Sequence, residues 1–254
     1  METMKNEYSI VKEEINNIGN SFLGCDGGNF KSNVWVCGLE FGATIDIMEE
    51  YYKHSVQYYS VNGFKIPYRE HCPKYFESSP YDMYLSLLVR TLFNSDLSVK
   101  DYLIHRLYNR DSDIFKLNLY PLAKKDASWD KQIESGLDLK KDQYYGEYKM
   151  KRFGFFEKLI SQFPGKTIIC TAIKGTVLDY LDAFMPTNQF TQMIEKRNYS
   201  VNVGDDPKAV LVFKTKNVKL VVIPFLGRGK GNLNSHESLR MMAEFLKSEK
   251  IVNI

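Results

Sequence analysis

Short apolar runs alternate along the chain with longer segments whose apolar residues recur at helical spacing. Residues 8–18 carry Ile10, Val11, Ile15 and Ile18 between charges, which predicts a first amphipathic helix. Val34-Trp35-Val36-Cys37-Gly38 is short, apolar and β-branched at two positions, the pattern of a strand buried on both faces. Residues 44–53 fit either a helix or part of an irregular excursion, and 58–80 are interrupted by Gly63, Pro67, Pro73 and Pro80. The segment 81–93 places Met83, Tyr84, Leu87, Leu88 and Leu92 at helical spacing, with Ser79 available as its cap. Phe115-Lys116-Leu117-Asn118-Leu119-Tyr120-Pro121 reads as a second strand that stops at a proline unable to donate to a ladder. The polar tract 123–148 predicts an insertion and the start of a helix running on to 162. Pro164-Gly165 then introduces a third strand over 166–173 and a helix over 175–184. Two more strands, 209–215 and 218–225, flank a tight turn at Lys216-Asn217, and a helix over 235–250 closes the chain.

Strands alternating with helices imply parallel neighbours joined by crossovers. The expectation is therefore a single α/β domain spanning 1–254, a three-layer sandwich with a mainly parallel central sheet and helices on both faces. Ligands in open sheets of this kind gather beyond the carboxyl ends of the strands. That rule puts the segments 38–42, 118–122 and 226–234 at one rim, although strand order is not readable from the pattern.

Composition changes this picture only at the margins. A hydrophobic fraction of 44% with 26% charged residues is that of an ordinary globular chain, and the net charge of +3 is too small to imply nucleic-acid binding unless arrangement concentrates it on one face. Residues 1–20 lack the continuous apolar core of a secretion signal, and no stretch resembles a membrane span, so a cytoplasmic, monomeric protein with no membrane partner is expected. Cys25, Cys37, Cys72 and Cys170 form no CxxC pair, and His54, His71, His105 and His236 show no HExxH spacing, so neither metal nor cofactor is expected. Cys37 and Cys170 sit within apolar runs and read as packing residues.

The chemistry-bearing residues fall at the three strand ends. Gly38-Leu39-Glu40-Phe41-Gly42 sets a carboxylate at the tip of the first buried strand, between glycines that permit close backbone approach. Asn118 stands at the end of the second strand, with Tyr120 and Pro121 after it. The last strand ends Ile223-Pro224-Phe225-Leu226-Gly227-Arg228 and leads into Gly229-Lys230-Gly231-Asn232-Leu233-Asn234, whose backbone amides and two cations suit a phosphate grip. Ser235 is a natural cap for the last helix, with His236 and Glu237 in its first turn.

This arrangement resembles the uracil-DNA glycosylase superfamily. In that family the first motif is a strand end of Gly, any residue, then Asp or Asn, commonly followed by Pro. Glu40 occupies the acidic position, and Phe41 stands where the proline would be. The resemblance equates Asn118 with the family asparagine that reads the polar edge of the flipped base. The family's third motif, His-Pro-Ser, is altered here, and Arg228 is the candidate substitute for its histidine. The iron–sulfur branch has a cysteine pattern that this chain does not share.

The resemblance implies a DNA glycosylase. Cleaving the bond between deoxyribose and base develops positive charge on the sugar and negative charge on the departing base. Glu40 would stabilise the sugar cation and orient a water, while Asn118 and Arg228 donate to the leaving base. Gly38, Leu39, Phe41, Gly42 and Tyr120 would form the base pocket, with Phe41 or Tyr120 stacking on the base. Leu226 or Leu233 would wedge into the gap, and Gly227, Gly229, Lys230, Gly231, Asn232, Asn234, Ser235 and His236 would contact DNA. Phe41 and Gly42 alter the feature that excludes 5-substituted pyrimidines. The favoured substrate is therefore a bulky modified pyrimidine, such as glucosylated hydroxymethylcytosine of phage DNA, with uracil in DNA as the alternative. Structural alternatives stand beside each role: Glu40 as a helix cap or lysine partner, Asn118 as a turn residue, and Arg228 in a solvated turn. A non-catalytic sensor of modified DNA or nucleotides and a nucleoside hydrolase are the other functional classes.

Overall fold

The computed structural model describes residues 8–40, 42–70, 77, 79–123, 129, 131–173, 175–186, 192–203 and 206–252. Its centre is a seven-stranded sheet formed by β1 (Gly27–Gly28), β2 (Val34–Gly38), β5 (Phe115–Asn118), β6 (Lys166–Ala172), β7 (Glu195–Val203), β8 (Asp206–Lys214) and β9 (Val218–Pro224), in the order β1-β5-β2-β6-β9-β8-β7. A separate hairpin is made by β3 (Gln57–Val61) and β4 (Phe64–Tyr68). The helices are α1 (Ser9–Asn16), α2 (Ile45–His54), α3 (Pro80–Leu92), α4 (Val99–His105), α5 (Lys131–Leu137), α6 (Lys149–Gln162), α7 (Val177–Phe184) and α8 (His236–Ser248); a π-helical turn, Tyr144–Tyr148, leads into α6. Among the described residues no helix is long and apolar enough to cross a membrane.

The sheet is mixed, which corrects the expectation of a mainly parallel one. β5, β2, β6 and β9 run parallel, but β1 joins β5, β8 joins β9 and β7 joins β8 antiparallel. The turn at residues 215–217 returns the chain beside itself, with the Thr215 amide donating to Val218 O, and β7 pairs antiparallel with β8 as far as Val203↔Asp206. Periodicity does not reveal β7, because its side chains are mostly polar and exposed and Glu195–Val203 lacks an apolar run.

The strands bury side chains on both faces, and each face has its own core. Val34, Val36, Ile169, Val221 and Ile223 point to one face, which α1, α2, α3 and α8 cover with residues such as Val11, Met48, Leu88 and Leu239. Trp35, Cys37, Phe115, Leu117, Ile168 and Cys170 point to the other, covered by α6, α7 and the β3–β4 hairpin through Phe156, Phe184 and Ile66. Alternation along β2 thus serves two cores at once, as expected for a strand buried on both sides. The hairpin within the expected irregular excursion has a local cause: Asn62 and Gly63 take φ of 48° and 83°, the left-handed pair that a two-residue turn requires. Ser79 caps α3 and Ser235 caps α8, where Ser238 completes a reciprocal capping box.

Candidate functional site

The carboxyl ends of β5, β2, β6 and β9 share one rim, so the three strand-end segments singled out in the sequence do emerge on the same side of the sheet. After β2 the chain turns to α2 on one face, whereas after β6 it turns to α7 on the other. Two neighbouring strands whose connections diverge leave a crevice between them, the switch point at which open sheets bind ligands. Glu40 lies on its β2 side. Backbone pairing continues past the strand ends, with the amides of Leu119 and Tyr120 donating to Gly38 O and Leu39 O, so the first two segments are held side by side.

Glu40 is half-buried, and its charge is felt by the hydroxyls of Tyr120 and Tyr144. Tyr120 donates to Asp179 Oδ2 at 2.8 Å, and Lys149 Nζ donates to the other Asp179 oxygen at 2.7 Å. Burial and the contact with Asp179 push the Tyr120 phenol above its usual range, so it remains a protonated donor aimed at α7. The ring centroids of Tyr120 and Tyr145 lie 5.8 Å apart, those of Tyr145 and Tyr144 5.1 Å, and those of Tyr144 and Trp129 5.3 Å. A carboxylate thus stands beside a run of aromatic rings. Leu39 packs half-buried on the α6–α7 face, Gly42 is exposed, and Phe41 lies outside the described residues.

Asn118 is only 2% exposed. Its Oδ1 accepts from Lys116 Nζ, and its Nδ2 donates to Gly24 O. An ammonium can only donate and a carbonyl can only accept, so these partners fix which end of the carboxamide is which. The side chain expected to read a base edge is therefore turned into a buried polar network. Lys116 also donates to Leu117 O and lies 3.8 Å from Asp26 Oδ2. Burial acts to discharge Lys116, but its surroundings, including Tyr81 and Asp26, outweigh this and raise its pKa. Burial lifts Asp26 from 3.8 to about 6, with Lys116 opposing the rise and Asp82 adding to it. Gly38 makes room for the network: a methyl there would sit 2.7 Å from Asn118 Oδ1, 2.8 Å from Lys116 Nζ and 3.2 Å from the Tyr81 hydroxyl.

Comparison with protein-family models, with curated proteins and with solved structures found no match.

The third segment joins the other two through Tyr81. The Tyr81 hydroxyl is 3.1 Å from Thr171 Oγ1, its ring is 5.3 Å from Lys116 Nζ, and its centroid lies 5.6 Å from that of Phe225. Beyond Phe225 the loop closes on itself, with the Gly227 amide donating to Leu233 O, Asn232 Nδ2 to Arg228 O and Asn234 Nδ2 to Gly229 O. Gly229 and Gly231 adopt φ of 123° and 87°, which side-chain-bearing residues rarely take. Arg228 and Lys230 are exposed, as are Asn234, Ser235 and His236.

The expected wedge does not hold. Leu226 and Leu233 are fully buried, form a parallel bridge with each other and belong to the α3–α8 core. A leucine pair already desolvated within the protein has no apolar surface left to insert between bases. The order β5-β2-β6-β9 also sets Arg228 at the far end of the rim, since β6 separates β9 from β2. Two strand spacings amount to roughly 10 Å. Sequence reading missed Lys116, Asp26 and Asp179. For Lys116 a signal existed, a lysine inside an otherwise apolar strand; the others are brought in by tertiary packing alone.

Proposed function

We propose that the chain is a DNA glycosylase that hydrolyses the N-glycosidic bond of a flipped-out base. The favoured substrate is a bulky 5-substituted pyrimidine such as glucosylated hydroxymethylcytosine of phage DNA. The observation that carries this reading is the position of Glu40, a half-buried carboxylate at the switch-point crevice beside Tyr120 and Tyr144. Such a group suits the cationic sugar that develops as the bond breaks, and it can orient the attacking water. The half-buried rings of Tyr120, Tyr145 and Trp129 offer ring surface to offset the cost of unstacking, roughly a few kcal/mol, with the buried Tyr144 behind them. Arg228 and Lys230 act as cations facing the DNA backbone. A cavity of about 260 Å³ opens on the same rim between β6, β9 and β8, lined by Ile173, Val177, Pro224 and Gly231, beside the loop that carries Arg228 and Lys230.

Purified protein is incubated with duplexes carrying uracil or glucosylated hydroxymethylcytosine, and abasic sites are then cleaved. The reading expects strand breaks with the modified cytosine and their loss in Glu40→Gln at unchanged fold. Inertness toward both duplexes would overturn it. A second reading, a non-catalytic sensor of modified DNA, is favoured by the buried hydrogen bonds that hold both ends of the Asn118 carboxamide. It expects Glu40→Gln to retain both binding and biological activity.

A further inference from the structure

The sheet ends on β7, a strand of nine residues that pairs with β8 in unbroken register from Glu195↔Lys214 to Val203↔Asp206. Among the described residues no strand pairs with its other side. Proteins guard such edges with short strands, proline, bulges or charges. β7 is long, has no proline and no bulge, and concentrates its charges at Glu195, Lys196 and Arg197; residues 198–203 carry none. It is also held in place from behind. Val201 and Val203 are buried against the α8 face, and the Tyr199 ring meets Phe245 of α8 at 5.4 Å. A strand already ordered loses little further entropy on pairing.

We propose that β7 pairs with β7 of a second copy of this chain, antiparallel about a two-fold axis, joining two sheets into one. The charges of the strand are compatible with a second copy in the antiparallel direction and oppose the parallel one. Parallel self-pairing in register would set Lys196 against Lys196 and Arg197 against Arg197, a repulsive arrangement. Antiparallel pairing centred on Tyr199 instead sets Glu195 opposite Val203, Lys196 opposite Asn202 and Arg197 opposite Val201, with no like charges facing. The same register sets Asn198 opposite Ser200, and both side chains are exposed and free of the protein core. The inference is independent of the glycosylase reading and departs from the monomer expected from sequence.

The test is the mass of the full chain in solution, by light scattering or sedimentation across a concentration series. The parent should approach twice 29.5 kDa as concentration rises. Asn198→Lys/Ser200→Lys faces lysine with lysine at two places and should be monomeric, with circular dichroism and melting like the parent. Asn198→Lys/Ser200→Glu faces opposite charges in this register and should restore the dimer. A parent that stays monomeric overturns the proposal, as does a dimer that survives the double lysine change. Failure of the Lys/Glu pair to restore assembly rejects the register and the proposal with it. A folding defect in the double-lysine variant is recognised by its dichroism, and the Lys/Glu variant then decides.

Discussion

Replacing Lys116 by methionine keeps most of the apolar stem but removes a buried charge, and its effect should depend on pH. Lys116 is 1% exposed, and Asp26, its ion-pair partner at 3.8 Å, is 5% exposed. Asp26 Oδ1 has no hydrogen bond, so the ammonium is a main support for this carboxylate. Burial raises Asp26 from 3.8 to about 6 even with Lys116 present, a lift equivalent to roughly 3 kcal/mol. Breaking a buried pair by removing one partner costs about 3–5 kcal/mol, so a loss of that size is expected near neutral pH. The unfolded carboxyl ionises near 3.8 and the folded one near 6, so the stability tied to its protonated form is present below about pH 4 and lost as pH rises through 6. Without Lys116 the folded value climbs further, and the loss extends to higher pH. The deficit of Lys116→Met relative to the parent should therefore shrink as pH falls toward about 4.5, where both carry a protonated Asp26. Urea unfolding followed by tryptophan fluorescence, reporting on the fully buried Trp35, measures it at each pH. Asp26→Asn/Lys116→Met should be more stable than Lys116→Met alone at neutral pH, because the stranded charge is gone. A deficit that is the same at both pH values would refute the reasoning.

Gly38→Ala forces a methyl against Asn118, Lys116 and Tyr81, and should cost about 1–3 kcal/mol in the same unfolding assay; a neutral result would mean the network can shift. Ser235→Ala removes the cap and its reciprocal bond with Ser238, and should lower stability by about 0.5–2 kcal/mol, read as a drop in thermal midpoint. Arg228→Ala/Lys230→Ala leaves the closed loop's backbone bonds intact, so the fold should be unchanged. If the loop grips phosphates, DNA affinity falls and the slope of log affinity against log salt flattens by about 1 for each phosphate no longer neutralised; an unchanged slope removes both cations from the interface.

Hydrophobic patterning alone located the elements whose burial is asymmetric or complete. β2, β5, β6 and β9 are apolar runs serving two cores, and α3 and α8 carry stripes with a serine cap in place, so local chemistry and tertiary position coincide. The Asn62-Gly63 turn has a local signature, but the prolines around it led to an expectation of irregular chain, and the β3–β4 hairpin was not foreseen. What periodicity does not carry is the direction in which strands pair and which strands become neighbours. β7 has one face open and one edge free, so polar side chains satisfy it and leave no apolar signature.

The site divides along the same line. Glycines beside an acidic residue at a strand end mark Glu40 locally, because a strand must stop and its tip must face solvent. The fate of Asn118 was decided by Lys116, Gly24 and Asp26, which meet only when β5 is laid beside β2 and the chain before it packs down. Leu226 and Leu233 likewise look like exposed loop leucines until packing against α3 and α8 removes them from water. Sequence specifies which side chains are available, but desolvation and charge pairing, set by strand order, determine what each of them is free to do.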